Sequence, residues 1–316
     1  MTTRAAQRAI WLILLGAGLV GGWHGDRASV RERPPQYRAG LRVLEVDFHA
    51  HTRFSDGLLS PFELVIAARR RGLDAIAVTE HNNVFPAQMA AWFSRRIDGP
   101  TVVVGEEITT KHYHLIGVGV HERVEPRADA TLVVEEIHRQ GGIAIAAHPV
   151  RRFWPAFEPV FEDLDAAEVV HPIALRKRDH EDEGGHDRRW SWDEMVTFYN
   201  RPRKRRLTAI GSSDYHGYKV LGLCRTLVFA DDDSAEAIIV ALREGRTVVR
   251  APDGQSFGDP ALIESLEREP LLRRGSDVGY APSDRLDAIT RVLGWMGLLG
   301  LLLFRVTPRR RGRRTG

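Results

Sequence analysis

Short apolar segments that each end in a histidine or an acid constrain this chain more than any other feature. Candidate strands lie at 43–48, 75–79, 101–108, 113–118, 143–147, 167–170, 207–211 and 225–229, with helical stretches at 61–71, 86–96, 131–140, 192–198 and 234–243. Such alternation predicts parallel strands with covering helices, closed into a barrel or left as an open sheet. No G-x-G-x-x-G or G-x-x-x-x-G-K-S/T follows any strand, so a nucleotide-binding open sheet has no support. With 316 residues, 43% of them hydrophobic, the chain can build one barrel-sized domain with appendages, or two small domains.

The polar residues fall at the strand ends. His49 and His51 close EVDFHAH, and a period of two puts both on one face. His81 follows AIAVTE, Glu106 and Glu107 follow TVVVG, and His114 lies in HYHLIGVGV. His148 ends GIAIAAH, and Asp214 and His216, again two apart, end AIGSSDYH. The C-terminal ends of parallel barrel strands meet on one rim, so these residues are expected to meet in space. Imidazole and carboxylate together suit zinc, manganese or iron rather than magnesium or calcium. About nine such ligands exceed what one tetrahedral ion takes, which points to two or three divalent ions. A lone histidine is more often a hydrogen-bonded structural residue, and that reading is kept for His121, His138, His180 and His186. The single cysteine, Cys224, excludes an intramolecular disulfide and a thiolate metal cage.

Charge separates the ends from the body. Arg4, Arg8, Arg305, Arg309, Arg310, Arg311, Arg313 and Arg314 are eight of 45 basic residues, leaving 37 against 42 acids elsewhere. No extended nucleic-acid surface follows from that balance. Residues 10–23, IWLILLGAGLVGGW, and 292–304, VLGWMGLLGLLLF, are uncharged and flanked by arginine on their terminal sides. Each falls short of the roughly 20 residues of a straight span. The first reads as a signal segment or a short uncleaved anchor, the second as a stop-transfer helix. The expected division is an anchor or signal at 1–23, a spacer at 24–42, a barrel at 43–258 and a return linker at 259–287. A transmembrane helix at 288–305 and a basic cytoplasmic tail at 306–316 complete it. Within the barrel, 176–189 reads as a solvated charged loop, and within the linker one helix fits near 261–268. The orientation rule expects both termini in the cytoplasm of a bacterium and the body beyond its inner membrane. Glycines at 18 and 22, with 294, 297 and 300, would let the two helices approach closely.

The segments DFHAHTRFSDG (47–57), TEHNN (79–83), GEEITT (105–110), HLIGVG (114–119), AHP (147–149) and SSDYH (212–216), in that order, resemble the PHP (polymerase and histidinol phosphatase) family. The resemblance covers about residues 43–258. It implies an α/β fold, a distorted (β/α)7 barrel with three metals on one rim, flanked here by an apolar helix at each end. It implies that His49, His51, Glu107 and Asp214 hold the first metal. Glu107 would bridge to a second held by His114 and His148, and Asp56, His81 and His216 would hold the third. Arg151 matches the position that contacts substrate phosphate; read on its own it is equally an ordinary surface arginine. Glu80 departs from the family's aspartate before His81, and Glu106 and His112 stand where they could compete with Glu107 and His114.

The expected function is hydrolysis of a small-molecule phosphate ester by metal-bound hydroxide. A PHP-like hydrolase of carboxyl or carbamate esters is the alternative, and a non-catalytic, membrane-tethered metal-binding module is a third reading.

Overall fold

The computed structural model describes residues 3–27, 34–175, 191–217, 220–271 and 282–306. It divides into two compact units, one formed by the chain ends (1–31 and 279–316) and one by residues 32–278. The charged segment 176–189, with His180 and His186, lies outside the described residues.

The larger unit is a mixed α/β fold around one nearly closed, barrel-like sheet of eleven strands. In chain order these are β1 (Gln36–Arg38), β2 (Leu41–Asp47), β3 (Ala75–Val78), β4 (Thr101–Thr109), β5 (His114–Val118), β6 (Ile143–Ala146), β7 (Ala166–Val170), β8 (Thr208–Gly211), β9 (Thr226–Ala230), β10 (Thr247–Arg250) and β11 (Ser256–Gly258). Their order around the sheet is β11-β10-β9-β2-β3-β4-β5-β6-β7-β8, with β1 added to β2. The all-parallel expectation is corrected. β2–β3–β4 and β6–β7–β8 run parallel, but β5 opposes both its neighbours and β9 opposes β2. The β4–β5 connection is only residues 110–113, closed by a Thr110 to Tyr113 bond. That is too short for a crossover helix, so the chain must turn straight back.

β1 lies inside the stretch expected as a spacer, and β10 and β11 form an antiparallel pair at the end of the barrel segment. β1 and β11, at three residues each, are too short to show periodicity. The terminal helix of this unit, α8 (Pro260–Arg268), is no loose linker: its Leu262 and Leu266 are buried with Val43, Phe229 and Val248.

Six further helices are α2 (Pro61–Arg70), α3 (Phe85–Ser94), α4 (Ala130–Arg139), the single turn α5 (Trp154–Phe157), α6 (Trp192–Tyr199) and α7 (Ala235–Arg243). Three of them start at side-chain caps. Ser60 and Glu63 form a reciprocal capping box on α2, while Asp129 and Ser234 cap α4 and α7. The barrel interior is filled by alternate strand residues such as Leu44, Val46, Phe48, Ile116 and Ile145, joined by Ile238, Ala241 and Leu242 of α7. Polar residues of the strand ends are thereby left for one rim.

β8 and β9 share no ladder; hydroxyls close this seam. Thr226 Oγ1 accepts from Gly211 N–H and donates to Gly211 C=O, both at 2.9 Å, and Thr247 Oγ1 donates to Ala209 C=O at 2.9 Å. A side chain on Gly211 would bring its Cβ to 2.6 Å from Val249 Cγ1.

In the smaller unit, α1 (Thr3–Arg27) and α9 (Pro282–Val306) pack antiparallel. A Cβ on Gly18 would stand 2.2 Å from Gly294 Cα, and one on Gly297 would stand 2.4 Å from Leu15 N. Gly22 takes no part, since a Cβ there would meet only the tip of Arg291, at 3.9 Å. The helix at Arg4–Gly22 is long and apolar enough to cross a membrane, a test that a signal sequence also passes, whereas Ile289–Leu303 is a shorter apolar helix.

Candidate metal centre

β2 ends at Asp47, whose carboxylate accepts the N–H groups of Ser213 (3.0 Å) and Gly222 (2.8 Å) and so ties the end of β2 to the segment after β8. His51 N–H then donates to Tyr215 C=O, and Ala50 bridges Tyr215. His49 and His51, with no exposed surface, therefore face Asp214. His49 Nε2 lies 2.9 Å from His51 Nε2, and both are 3.4 Å from Asp214 Oδ1.

Glu107, in β4, stands at the centre. Its Oε1 is 3.6 Å from His49 Nε2, 2.9 Å from His114 Nδ1 and 3.3 Å from His148 Nε2. Its Oε2 is 3.7 Å from His51 Nε2 and 2.7 Å from His81 Nδ1. Glu106, the preceding residue, faces the other side and accepts from Val124 N–H; burial pushes it up to about 7. Strand alternation thus favours Glu107 for the centre. His114 opens its strand rather than ending one, and the reversal of β5 brings it to the same rim. His112 sits exposed in the turn before β5, not on the strand.

Asp56, His81 and His216 gather on the outer side. His81 Nε2 is 3.4 Å and His216 Nε2 is 3.2 Å from the two oxygens of Asp56. Three overlapping groups have the geometry to hold an ion: His51 with Asp56, His81 and His216; His49 with His51 and Asp214; and His49 with Glu107 and His148. All nine side chains named from sequence are therefore brought to one rim.

The donor set fits divalent ions on its own geometry. His51 Nδ1 is buried, 3.8 Å from Glu80 Oε1 and 3.9 Å from Asp56 Oδ1, beyond hydrogen-bond reach and near the spacing of ligands about 2.0–2.2 Å from a shared ion. Burial favours neutral His49, but Asp214, Glu168 and Glu107 outweigh it and hold its imidazole well above the ordinary value of 6.5. Burial likewise opposes charge on His51, yet Asp214 and Glu80 lift it to about 9. Burial would protonate Glu107 and Asp214; the surrounding imidazoles instead hold both well below the usual range. Ionised carboxylates in a dry pocket demand positive charge, which protons or metal ions can supply.

Two backbone features accompany the ligands. His148 and Asp214 have φ of 27° and 45°, a sparsely populated region for residues with a side chain. Strain of that kind persists only where the surroundings over-determine it.

Sequence reasoning missed Glu168 and His171. Glu168 Oε1 accepts from His49 Nδ1 at 2.9 Å and from the Ser212 hydroxyl, and Oε2 accepts from His148 N–H. The bond to His49 Nδ1 fixes the ring so that Nε2 faces Asp214 and Glu107, where it would offer its lone pair to an ion on losing its proton. Burial opposes the charge of Glu168, but the neighbouring histidines hold it at about 2. His171 Nε2 lies 3.2 Å from Asp214 Oδ2. The signal was present in AAEVVH, another apolar strand ending in a histidine. Glu80, where the family has aspartate, accepts the Thr52 N–H at 3.0 Å and the hydroxyls of Thr52 and Ser55, shaping the loop that carries Asp56. Arg151 stands in the turn after His148, with its side chain 75% exposed and 3.6 Å from Glu194. His138 pairs with Asp165 at 2.8 Å, a structural role.

Residues 47–144 match the family model of the PHP domain, and residues 202–247 match that of the PHP-associated region. The chain carries a PHP domain. An uncharacterized protein of Methanocaldococcus jannaschii is 29% identical over 156 residues, which cover 42% of this chain and 91% of that protein. The 5'-3' exoribonuclease of Haemophilus influenzae is 29% identical over 98 residues, 30% of this chain, which spans about a third (35%) of that enzyme's length. A solved two-domain protein of Bacteroides vulgatus, containing a predicted PHP-like metal-dependent phosphoesterase, superposes with a TM-score of 0.59 at 23% identity, covering 75% of this chain and 74% of that one. The last likeness establishes the fold.

Proposed function

We propose that the chain is a phosphoesterase with a multinuclear metal site. The observation that carries this reading is Glu107, whose two oxygens face different sets of imidazoles, as a carboxylate bridging two ions would. His49, His51 and Asp214 would complete the first site, His114 and His148 the second, and Asp56, His81 and His216 the third. Bound divalent ions would offset charge on a phosphoryl group and make water a nucleophile near neutral pH. The protein's own part is to hold the ligands. Glu168 orients His49, Asp47 holds the backbone at Ser213 and at Gly222, and burial excludes bulk water from the inner ligands. Phe54 and Phe85, half exposed and 6.3 Å apart on the segments that carry Asp56 and His81, offer an apolar wall for the organic part of an ester. Arg151 would meet the phosphate after leaving Glu194.

Elemental analysis of the purified chain is expected to find more than one equivalent of zinc, manganese or iron, and a substrate screen to find turnover of phosphomonoesters or phosphodiesters. His148→Ala and Asp214→Asn should lose metal and turnover while staying folded. Full metal content with unchanged turnover in these variants would overturn the assignment, and turnover confined to carboxyl or carbamate esters would overturn the substrate class.

We also propose that α1 and α9 hold the body outside the cytoplasm, with both termini inside. Their antiparallel packing, with Trp11 against Gly300 and Gly21 against Thr290, supports this by bringing the arginine-flanked ends together. Protease added to intact spheroplasts should cut the body; protection until the membrane is dissolved would refute this topology.

A further inference from the structure

A cleft of about 480 Å³ opens where the chain enters β8, at the end opposite the one that leads to Asp214 and His216. Arg201, Arg203 and Arg206 line it together with Tyr199, and Phe257 and Ile263 form its apolar wall. Among the described residues, none of its lining is a carboxylate. The arginines come from RPRKRR (201–206), five cations in six positions of one turn. Mutual repulsion disfavours such a turn unless acceptors gather the charge.

The acceptors in place are mostly neutral. Arg203 Nη2 donates to the carbonyls of Glu162 (2.7 Å) and Leu164 (2.9 Å), and Arg206 Nη1 to that of Gly258 (3.0 Å). Among the described residues Arg201 alone of the three has a carboxylate within ion-pair distance, with Nη2 2.8 Å from Glu158, while Glu162, Asp163 and Asp165 act on Arg203 from farther away. The guanidinium groups of Arg201 and Arg203 stand over the Phe161 ring at 4.3 and 5.3 Å, which holds them in place. Arg201 Nη1 and Arg203 Nε and Nη1 are buried without an acceptor among the described residues, so these two guanidinium groups carry more donors than the protein's own acceptors take up.

We propose that this cleft binds a phosphate-bearing ligand, at a site separate from the metal centre. Three guanidinium groups offer more forked donors than one carboxylate can accept, whereas the oxygens of a phosphate can take several at once. The volume lies within the range of small-molecule pockets, and Phe257 and Ile263 would cover the organic part of the ligand. A free phosphorylated metabolite and a phospholipid headgroup share this chemistry.

The test uses the full-length, metal-loaded chain in zwitterionic nanodiscs, titrated with inorganic pyrophosphate and, separately, with a soluble short-chain phosphatidic acid. Calorimetry is expected to resolve a site that survives Asp214→Asn, which disables the metal centre, and weakens about tenfold or more in Arg203→Gln/Arg206→Gln. Tighter arginine-dependent binding of pyrophosphate identifies a free phosphate as the source; tighter binding of phosphatidic acid identifies a headgroup. Because Arg203 and Arg206 also hold backbone carbonyls, Ser256→Glu provides a second variant. It places a carboxylate in the cleft while leaving every arginine intact, and should abolish the same site. Unchanged affinity for both probes in Ser256→Glu, or in the folded arginine variant, overturns the proposal. Loss of binding in Asp214→Asn alone would do so as well, by assigning all the phosphate to the metal centre.

Discussion

Glu107 touches five imidazoles, and the charge balance of the rim turns on how those rings are protonated. His49 and His51 are raised in the folded protein, His51 to about 9, against 6.5 when unfolded. Their contribution to stability is fully present below pH 6.5 and is lost as pH rises through the folded values. Glu107 and Asp214 are depressed, so theirs is present above their unfolded values of 4.5 and 3.8 and is lost only as pH falls through lower ones. His148, which burial holds below 6.5, acts against the fold only below that pH. The metal-free protein should therefore lose thermal stability between pH 6.5 and about 9, and metal, which displaces those protons, should restore it there. Melting curves with chelator and with zinc or manganese across that interval check this; a flat metal-free profile would contradict it. At this scale the sequence was most informative, because a histidine after an apolar strand is conspicuous. Glu168 was hidden because it lies within a strand, in AAEVV, and its role exists only through His49, 119 residues away.

The helices and central strands were legible because each carries its own apolar period and, in several helices, its own cap. Strand direction was not, because it depends on connection length and on partners that periodicity does not report. β5 carries the same apolar pattern whether it runs with or against β4, and only the four residues at 110–113 decide. The terminal helices show the opposite case, where a local feature sets a contact. Gly18 and Gly294 meet so closely that neither position has room for a side chain. Gly294→Leu should separate the pair, seen as a longer distance between spin labels placed at the exposed Leu19 and Val292, while Gly22→Leu should leave that distance unchanged. Equal distances in the two variants would show that close approach is not what joins these helices.

Across the whole molecule, sheet closure is uneven. Most neighbouring strands are joined by backbone ladders, but the edge of β8 toward β9 and β10 is held by the hydroxyls of Thr226 and Thr247. A side-chain clasp can let go by a rotamer change, without the cooperative unzipping that parting two laddered strands requires. The barrel thus has a weakest stave, and the chain that leaves it runs directly into Asp214 and His216. Transient opening there would slacken two ligands from different ion sites at once, and ions bound at those two sites would hold the stave shut. Deuterium uptake at the Gly211 amide should be fast without metal and slow with it, while the amides of Ile143–Ala146 stay protected in both states. Thr226→Val, which leaves both backbone groups of Gly211 without their clasp at a cost of about 1–3 kcal/mol, should remove much of that metal-dependent protection. Equal exchange at Gly211 in both states would mean that the seam is as firm as the ladders. If the difference is found, ions would enter and leave this rim through motion of the wall itself, and loading would be timed by how often two threonines turn.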